Sequence, residues 1–427
     1  MGTALGALRS EAVDSSQHLG VTLKVVINAV SAKMGGAVTY LTNVLRCLPP
    51  PESGYEFDIF LPPEAAERQE GLPRNVRLVA TSVGHAPWWN RFWWEQVSLR
   101  RWLKRRKADM LFSTANFGMF CCPVRQILLV RNALYFSKLY QDEFLARHSL
   151  RFQVAFRFRR WLICRSVRQA DVVMTPTQAM LDDLRRFVEV DAQKALVNPY
   201  GAVPLDSSSS ERTGVKPEPR ARDDSVVRLI YVSLYSDHKN LATLLRALPL
   251  LNRNGTRKFA LKTTVNPGWE GGDWTVTHKE DLALARQPDV APWVEFLGPL
   301  GQQQVQELYR EGDLFVFPSL CESFGHPMVE AMAHGLPIVA SDAPVNREIC
   351  SEAAVYFSPS DSEDLARQTR LLAADAPLRQ QLSARGQERA RIKFRWDAHV
   401  RRILDVVSVF GTSSVRGGRL TGRGLTR

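Results

Sequence analysis

The segment from Pro318 to Ser341 constrains the fold more than any other part of the chain. An apolar run, Leu314 to Phe317, leads into it, and a glycine-bearing turn, a helix-type pattern over about 327–334 and a second apolar run, Ile338 to Ala340, follow. This order predicts a strand, a loop, a helix and a second strand, which together form a βαβ unit. Because open parallel sheets bind ligands at the carboxyl ends of their strands, we expect the loop after Phe317 to lie at a binding site.

Two glutamates in this segment have a spacing that suits such a site. Glu322 lies in the loop and Glu330 is eight residues further on, about two helical turns away if the helix begins early. Gly325 lets the backbone approach a ligand, and the N–H groups that open a helix favour an anion. The alternative is an ordinary βαβ unit that carries two solvated glutamates.

A series of positions in this segment agrees, in a fixed order, with a known motif. They are Pro318-Ser319, Glu322-Ser323-Phe324-Gly325, Pro327, Glu330-Ala331-Met332-Ala333, Gly335 and Pro337. The pattern resembles the Glu-x7-Glu signature of retaining GT-B glycosyltransferases of family 4. The resemblance implies an α/β protein of the GT-B fold, in which two Rossmann-like domains face each other across a cleft and a C-terminal helix crosses back to the first domain.

The chain length agrees with two domains, because 427 residues are too many for a single hydrophobic core. The segment 205–225 is rich in serine, proline and charge and has almost no apolar residues, as is typical of a linker. The predicted divisions are a flexible extension (1–20), an acceptor-side domain (21–204), the linker (205–225), a nucleotide-sugar-binding domain (226–395), a crossover helix (396–410) and a basic disordered tail (411–427).

Composition narrows the class and location of the protein. The chain is 45% hydrophobic, has no apolar run of about 18 residues and lacks a secretory signal in its first 20 residues. Its six cysteines form no Cys-x-x-Cys pair, so we expect reduced thiols, with Cys321 a spectator rather than a nucleophile. These features predict a cytoplasmic protein, on the inner face of the membrane if its basic helices bind there.

The resemblance assigns one side of the donor site to the Glu-x7-Glu segment. Glu330 would accept hydrogen bonds from the ribose hydroxyls, and Glu322 and Ser323, with the loop that follows, would hold the donor sugar. The N–H groups around Phe324 and Gly325 would face the phosphates, since the amides at the start of a helix attract anions.

Four further donor-site residues are assigned by resemblance. Gly35 and Gly36 correspond to the glycine-rich loop after the first strand, which faces the donor across the cleft. Leu297 belongs to the segment whose backbone reads the nucleotide base. His326 stands where relatives commonly have an apolar residue, and it would be within reach of the sugar.

The turn after the first strand of the second domain is expected to bind the diphosphate. In the family this turn carries an arginine and, five residues later, a lysine. Lys239 matches the lysine, but the arginine position is Leu234. One cation is therefore missing, and Ser233, helix N–H groups or a residue elsewhere must contribute in its place.

A second departure from the family lies in the first domain. Many relatives place a His-Asp pair at the end of the strand predicted over 126–130, whereas this chain has Arg131 and Asn132. Asn132 retains the capacity to hydrogen-bond a sugar hydroxyl. The predicted catalytic set is therefore Glu322, Lys239 and Asn132, with no imidazole among them.

The metal-bridging Asp-x-Asp motif of the other large glycosyltransferase fold does not occur in the chain. We therefore expect catalysis without a metal or other cofactor, and the resemblance implies retention of configuration. Positive side chains and N–H groups would stabilise the departing phosphates.

Two segments combine basic and aromatic residues. Residues 91–107 carry tryptophans and a cluster of arginines and lysines, and Phe144 to Ala170 contains seven arginines and no acid. The net charge of +12 also calls for an anionic partner. Helices over 91–107 and 147–168 on an anionic membrane are one interpretation, and helices packed on their own domain with a solvated basic rim are the other.

The sequence thus predicts a transferase that moves a sugar from a nucleoside-diphosphate sugar, such as GDP-mannose, to a lipid-linked glycan or polysaccharide acceptor in envelope or exopolysaccharide synthesis. One alternative is a transferase of the same fold with a soluble sugar acceptor. Another is an inert GT-B frame that binds a membrane or nucleic acid, although the joint presence of Lys239, Glu322 and Glu330 argues against it and makes nucleic acid the weaker partner.

Overall fold

The computed structural model describes residues 22–33, 35–202, 225–253, 255, 257–268 and 275–416. The described residues form two α/β domains, each built on a parallel sheet. The predicted extension, 1–20, and all of the predicted linker except Ser225 lie outside them.

The first domain contains a seven-stranded sheet in the order β3-β2-β1-β4-β5-β6-β7. Its strands are β1 (Leu23–Asn28), β2 (Tyr55–Leu61), β3 (Val76–Ala80), β4 (Met110–Ser113), β5 (Arg125–Leu129), β6 (Val172–Thr175) and β7 (Ala195–Val197). Its helices are α1 (Gly36–Arg46), α2 (Pro63–Ala66), α3 (Trp88–Trp94), α4 (Arg100–Arg106), α5 (Lys138–Glu143), α6 (Leu150–Gln169) and α7 (Gln178–Arg185).

The second domain contains a six-stranded sheet in the order β10-β9-β8-β11-β12-β13. Its strands are β8 (Val226–Tyr231), β9 (Lys258–Thr263), β10 (Val294–Phe296), β11 (Leu314–Phe317), β12 (Ile338–Ser341) and β13 (Ala354–Phe357). Its helices are α8 (Leu241–Asn252), α9 (His278–Ala285), α10 (Gln302–Glu311), α11 (His326–Ala333), α12 (Pro344–Cys350), α13 (Ser362–Ala374) and α14 (Ala376–Lys393).

Both sheets reverse their strand order next to the first strand of the domain. In the first domain β1 lies between β2 and β4, and in the second β8 lies between β9 and β11. All of these pairs are parallel, so loops from both sides of the reversal open at one edge of each sheet. Such reversal points are where doubly wound sheets bind ligands. In the second domain, the loops after β8 and β11 carry Lys239 and Glu322.

The last helix, α15 (Trp396–Arg416), returns to the first domain. A Cβ atom on its Gly411 would lie 2.6 Å from Leu23 Cδ2 in β1, and its Trp396 ring lies 5.8 Å from that of Tyr40 in α1. The crossover was predicted to end at 410, but the helix continues to Arg416, so the first six residues of the predicted tail are helical. The rest of that tail, 417–427, lies outside the described residues.

Both basic segments are helical, as predicted, but with different bounds. The first is continuous from Trp88 to Arg106 and consists of α3, a π-helical stretch (Glu95–Leu99) and α4. The second segment forms a 3₁₀ turn (Leu145–Arg147) before α6, which begins at Leu150 because the Ser149 hydroxyl accepts a hydrogen bond from the Phe152 N–H.

Within the first basic segment, Trp94, Glu95 and Gln96 pack inside their own domain. Trp94 and Trp102 both lie edge-on to Phe60, with ring centroids 5.3 and 5.2 Å away. The buried Glu95 carboxylate accepts hydrogen bonds from Asn28 Nδ2 (3.0 Å) and Arg91 Nε (3.1 Å). The exposed tryptophans before this part, Trp88, Trp89 and Trp93, are described below.

Candidate functional site

The loops after β8 and β11 bring a lysine and a glutamate together at the reversal point of the second sheet. Lys239 ends a 3₁₀ turn, Asp237–Lys239, and its backbone oxygen accepts a hydrogen bond from the Tyr231 hydroxyl (2.9 Å). Its ammonium forms an ion pair with the Glu322 carboxylate. Ser319 Oγ donates a second hydrogen bond to the same carboxylate oxygen, at 2.8 Å. The two predicted catalytic residues are therefore direct partners, and the ammonium is already neutralised.

Glu330 lies on α11, with its carboxylate against α10. The Tyr309 hydroxyl donates a hydrogen bond to Glu330 Oε2 at 3.0 Å. Burial raises the Glu330 pKa from 4.5 to about 7, although the Tyr309 hydrogen bond acts in the opposite direction. A further hydrogen-bond donor, such as a pair of hydroxyls, would therefore stabilise the charged form of the Glu330 carboxylate. The two glutamates do not share a helix, since α11 begins only at His326.

The turn before α11 depends on a glycine. Gly325 has φ +82°, and a Cβ there would lie 2.5 Å from Met328 Cε. The preceding Phe324 side chain is buried, with ring centroids 4.9 Å from Tyr200 and 5.5 Å from Phe394. The Phe324 side chain therefore belongs to the core, and the predicted role of Phe324 at the phosphates involves its backbone N–H only.

The glycine loop of the first domain lies against this site. A Cβ on Gly35 would be 3.4 Å from Leu234 Cδ1, and one on Gly36 would be 3.8 Å from His326 Cδ2. Leu234 follows β8 and has 48% of its surface exposed, so the two domains meet here around an apolar side chain. Residues of three separate segments thus lie together, namely Gly35 and Gly36, Leu234 and His326.

His326 is held between the domains as part of an aromatic stack. Its ring lies parallel to that of Tyr200 at 5.2 Å, and the Trp396 ring lies 5.8 Å from Tyr200 and 6.1 Å from His326. Burial, together with the charges of Arg131 and Lys239, lowers the His326 pKa from 6.5 to about 3. The imidazole is therefore neutral at physiological pH and carries one donor and one acceptor nitrogen.

Asn132 and Arg131 lie at the carboxyl end of β5. Asn116 Oδ1 accepts hydrogen bonds from both of their backbone N–H groups, at 2.8 and 3.0 Å. Asn132 Oδ1 accepts from the Leu134 N–H at 3.1 Å and so caps the next turn. Its oxygen is occupied, and the amide nitrogen is the part of the side chain that would donate to a sugar.

Ser233 and Leu297 are placed by the edge of the second sheet. The Ser233 hydroxyl donates to its neighbour's backbone oxygen, Leu234 O, at 2.8 Å, and its own N–H donates to Thr264 Oγ1 at 2.9 Å. The Leu297 N–H donates to Thr263 O at 2.8 Å and extends the pairing of β10 with β9. Both residues lie at carboxyl ends of strands, and the Ser233 hydroxyl hydrogen is already used.

Three other polar residues near the site have structural surroundings. His238 is half-buried and its ring bonds to Ser236 Oγ at 2.8 Å, while desolvation lowers its pKa. Cys321 is buried and its pKa is raised to about 12, so the thiol stays protonated and is not a nucleophile. His334 Nδ1 bonds to the Glu330 backbone oxygen at 2.8 Å.

Several residues that hydrogen-bond to the predicted site residues were not identified from the sequence. Tyr309 precedes its partner Glu330 by 21 residues and lies on a different helix, so no local pattern marks it. Ser319 belongs to the recognised motif, yet its bond to Glu322 depends on the loop's conformation. Across the domains, Thr177 Oγ1 donates to Ser323 O at 3.0 Å.

The described residues contain no group of three or more histidine, cysteine, aspartate or glutamate side chains arranged to hold a metal ion. Within the same residues, every helix is too short or too polar to cross a bilayer.

Comparison with known proteins finds a family model for each half of the chain. Residues 35–201 match the Glycosyl transferase 4-like domain, and residues 216–389 match the Glycosyl transferases group 1 domain. The second match contains Lys239, Glu322 and Glu330, and the first contains Gly35, Gly36 and Asn132.

One curated relative and two solved structures illustrate the similarity. The O-antigen chain mannosyltransferase RfbU of Salmonella typhimurium is 37% identical over 267 residues, which are 61% of this chain and 66% of the relative. The sucrose-phosphate synthase of Thermosynechococcus elongatus has a TM-score of 0.68 at 16% identity, covering 92% of this chain and 100% of the other. Anabaena HepE in complex with UDP-glucose has a TM-score of 0.62 at 19% identity, covering 91% and 100%.

These matches differ in what they establish. The two solved structures share the two-domain fold over nearly the whole chain, and their low identity limits the likeness to the fold. The curated relatives match over part of their length only, from 25% to 66%, so this chain spans less than two thirds of each.

Proposed function

We propose that this chain, which matches the Glycosyl transferase 4-like and Glycosyl transferases group 1 models and has the GT-B fold, transfers a sugar from a nucleoside-diphosphate sugar to a glycan acceptor in polysaccharide biosynthesis. The observation that carries the proposal is the ion pair of Lys239 with Glu322, in a site where the glycine loop of the opposite domain lies against Leu234 and His326. Glu330 lies on the helix that His326 begins. A fold alone would not require this combination.

The proposed binding mode follows the chemistry of each group. Ribose hydroxyls donate to the Glu330 carboxylate, whose pKa is raised by burial and to which the Tyr309 hydroxyl already donates. The diphosphate lies near Lys239 and the N–H groups at the start of α11. Glu322, released from part of its ion pair when phosphate approaches Lys239, accepts hydroxyl groups of the donor sugar.

Transfer then depends on stabilising the departing phosphate and positioning the acceptor. Positive charge near the diphosphate lowers the barrier because negative charge develops there as the glycosidic bond breaks. In this binding mode the neutral His326 and the Asn132 amide donate hydrogen bonds to sugar hydroxyls. We expect retention of configuration, and we expect no metal to be needed because side chains and N–H groups supply the positive charge.

The name of the relative RfbU favours a mannosyl donor, so GDP-mannose is our first candidate. Thermal shifts with GDP, UDP, dTDP and ADP should identify the base, and transfer assays with the matching sugar nucleotides should follow, with and without excess chelator. We expect activity to persist in chelator. Glu330→Ala should abolish donor binding, and Lys239→Met should weaken binding of the diphosphate more than that of the nucleoside.

Exposed Glu307→Ala, on the same helix as Tyr309, is the matched control and should bind the donor like the wild type. Stabilisation by none of the nucleotides would contradict the proposal and favour an inert frame. Unchanged turnover in Glu330→Ala would contradict the assignment of the site.

The acceptor is proposed to be lipid-linked because the first domain carries an aromatic–basic face. We define this face by the exposed apolar side chains of α3 and α6, which are Trp88, Trp89, Trp93, Leu150, Val154, Phe158 and Trp161. The Trp88 and Phe158 rings lie 6.0 Å apart and so join the two helices into one surface. Trp93 is 64% exposed and Trp161 51%, which is unusual for such large rings.

Exposed cations surround this face and favour an anionic membrane surface as its partner. Arg151, Arg157, Arg165 and Arg168 are exposed on α6, which has no acidic residue, and Arg101, Lys104 and Arg105 are exposed on α4. Aromatic rings in the headgroup region together with arginines near anionic lipids are the usual composition of a peripheral membrane surface. Arg106 and Arg160 contribute less, since they bind Asp58 and Gln141 within the domain.

Co-sedimentation with phosphatidylcholine vesicles, with and without phosphatidylglycerol, tests this partner. We expect binding only to the anionic vesicles, and its loss in Trp89→Ser/Trp93→Ser/Trp161→Ser and in Arg101→Gln/Arg105→Gln/Arg151→Gln/Arg157→Gln. Leu371→Ser/Ile392→Ser removes exposed apolar residues of the second domain and should bind normally. Equal pelleting of all variants would contradict the membrane surface and favour a soluble sugar acceptor.

A further inference from the structure

The diphosphate site of the second domain has little net positive charge of its own. Lys239 is ion-paired with Glu322, so the pair is neutral overall. The position where the family carries an arginine is Leu234, whose side chain lies against Gly35 of the first domain. A nucleoside diphosphate carries more than one negative charge, and charge-assisted hydrogen bonds are what hold such groups. The site therefore lacks a cation that its ligand requires.

Arg131 of the first domain is the candidate for this missing cation. It is half-buried at the carboxyl end of β5, and its guanidinium lies over the Tyr40 ring at 5.4 Å. Within the part of the chain that the structure describes, no carboxylate is within ion-pairing distance of it. A half-buried guanidinium without an anion is costly, since buried charges are normally paired.

The surroundings of Arg131 place its charge beside the phosphate site. The Tyr40 ring beneath its guanidinium lies 5.0 Å from the Tyr200 ring, which lies 5.2 Å from that of His326. In agreement with this geometry, the charges of Arg131 and Lys239 both lower the His326 pKa. His326 in turn lies against Gly36 and opens α11, the helix whose N–H groups face the same space. Arg131 thus approaches from the first domain the region that Lys239 approaches from the second.

We propose that Arg131 supplies, from across the cleft, the positive charge for the donor diphosphate that the second domain lacks at Leu234. This inference rests on the proposed function, since the ligand is the nucleoside-diphosphate part of the donor. It makes the phosphate site a shared one: Lys239 and the α11 N–H groups contribute from one domain, and Arg131 contributes from the other. Donor binding therefore draws the two domains together.

The test compares ligands that differ only in their phosphates. Dissociation constants for GDP, GMP and guanosine, or the same series for the base that the thermal-shift screen selects, are measured for the wild type, Arg131→Met and Arg131→Lys. We expect Arg131→Met to weaken GDP binding roughly 10- to 100-fold, the range for one charge-assisted contact, and to leave guanosine binding unchanged. Arg131→Lys should recover part of the loss.

Restoring the charge on the other domain gives a sharper test. Leu234→Arg in the Arg131→Met background should recover GDP binding, because it places a cation where relatives have one. Arg74→Met removes an exposed arginine of the same domain and controls for net charge. Circular dichroism checks the fold, and Arg131→Gln replaces Arg131→Met should that variant be unfolded.

Three outcomes are distinguishable. Loss of GDP binding with guanosine unchanged, recovered by Leu234→Arg, supports the inference. GDP binding that is unchanged in Arg131→Met, or GDP and guanosine weakened by the same factor, overturns it and leaves the proposed function standing. If the wild type binds no nucleoside diphosphate, the proposed function fails, and this inference fails with it.

Discussion

At the scale of single residues, the site is defined by how its charges are compensated. Lys239 and Glu322 neutralise each other, whereas Glu330 has one hydroxyl partner and a carboxylate whose pKa is raised to about 7. A buried carboxylate with few donors is unfavourable in the free protein and favourable once hydroxyl groups reach it. Hydrogen bonds from a ligand to the Glu330 carboxylate should therefore contribute to the binding free energy.

This raised pKa makes a prediction about stability. The folded protein holds the Glu330 proton more tightly than the unfolded chain does, so the stability it contributes is complete below pH 4.5 and decreases as the pH rises towards 7. Glu330→Gln removes that titration. The melting temperature of the wild type relative to Glu330→Gln should therefore decrease between pH 5 and pH 7.5. Glu307→Gln is the control, and parallel curves for wild type and Glu330→Gln would contradict the assignment.

The same ionisation should appear in ligand binding. Hydroxyl donors stabilise the charged carboxylate, so nucleoside affinity should rise as the pH increases through about 7. Isothermal titration calorimetry between pH 6 and pH 8 measures this dependence. In Glu330→Gln we expect weak binding that does not change over this range, and a wild-type affinity independent of pH would count against the role of Glu330.

At the scale of elements, the turn into α11 determines where its N–H groups and Glu330 point. Gly325 has φ +82°, a conformation that costs other residues about 1–2 kcal/mol. The space is also filled, because Met328 Cε lies 2.5 Å from where a Cβ would stand and Met328 is fully buried. The strand–turn–helix unit thus depends on this glycine both for conformation and for packing.

Gly325→Ala separates these two effects when it is compared with Gly71→Ala. Gly71 has φ +68° with nothing within 4 Å of an added Cβ, so its variant should show the conformational cost alone. Gly325→Ala should lower the free energy of unfolding by about 1–3 kcal/mol more, from overpacking against Met328. Chemical denaturation measures both values, and equal losses would contradict the packing argument.

At the scale of the whole molecule, contacts across the cleft join the domains close to the site. The Glu348 carboxylate accepts hydrogen bonds from the Gln178 and Ala179 N–H groups, both at 2.7 Å, and so caps α7 of the first domain. Thr177, next to them in sequence, bonds to Ser323 in the loop that would hold the sugar. Arg147 and Glu280 add an exposed ion pair at 2.6 Å. The relative position of the domains is thus coupled to the conformation of the donor loop.

Removing the Glu348 cap should shift the protein towards an open arrangement. Loss of a helix cap costs about 1 kcal/mol, which corresponds to a roughly fivefold change in the ratio of closed to open molecules. We expect Glu348→Ala to have a larger radius of gyration in small-angle X-ray scattering and a higher KM for the donor. Glu352→Ala, which changes an exposed glutamate four residues further along the chain, is the control. An unchanged radius and KM would show that the cap does not hold the domains.

Much of the fold could be predicted because its signals are local. The apolar runs over β2, β3 and β11, the glycine before α11 and the polar segment between the domains each report on a few neighbouring residues. The order of strands and helices then implies parallel sheets with ligands at their carboxyl ends. The π-helical stretch at Glu95–Leu99 was not predicted, and its buried Glu95 is held by Asn28, which is 67 residues away in sequence.

By itself the sequence determined the two-domain α/β fold and the loops that carry Lys239, Glu322 and Glu330, since periodicity and turn residues act over short distances along the chain. Only the tertiary structure decided their partners. Tyr309 reaches Glu330 from another helix, Glu322 neutralises Lys239 from the neighbouring strand's loop, and Arg131 comes from the other domain to stand near His326. Electrostatic compensation depends on distance in space, and distance in space between remote segments is set by packing.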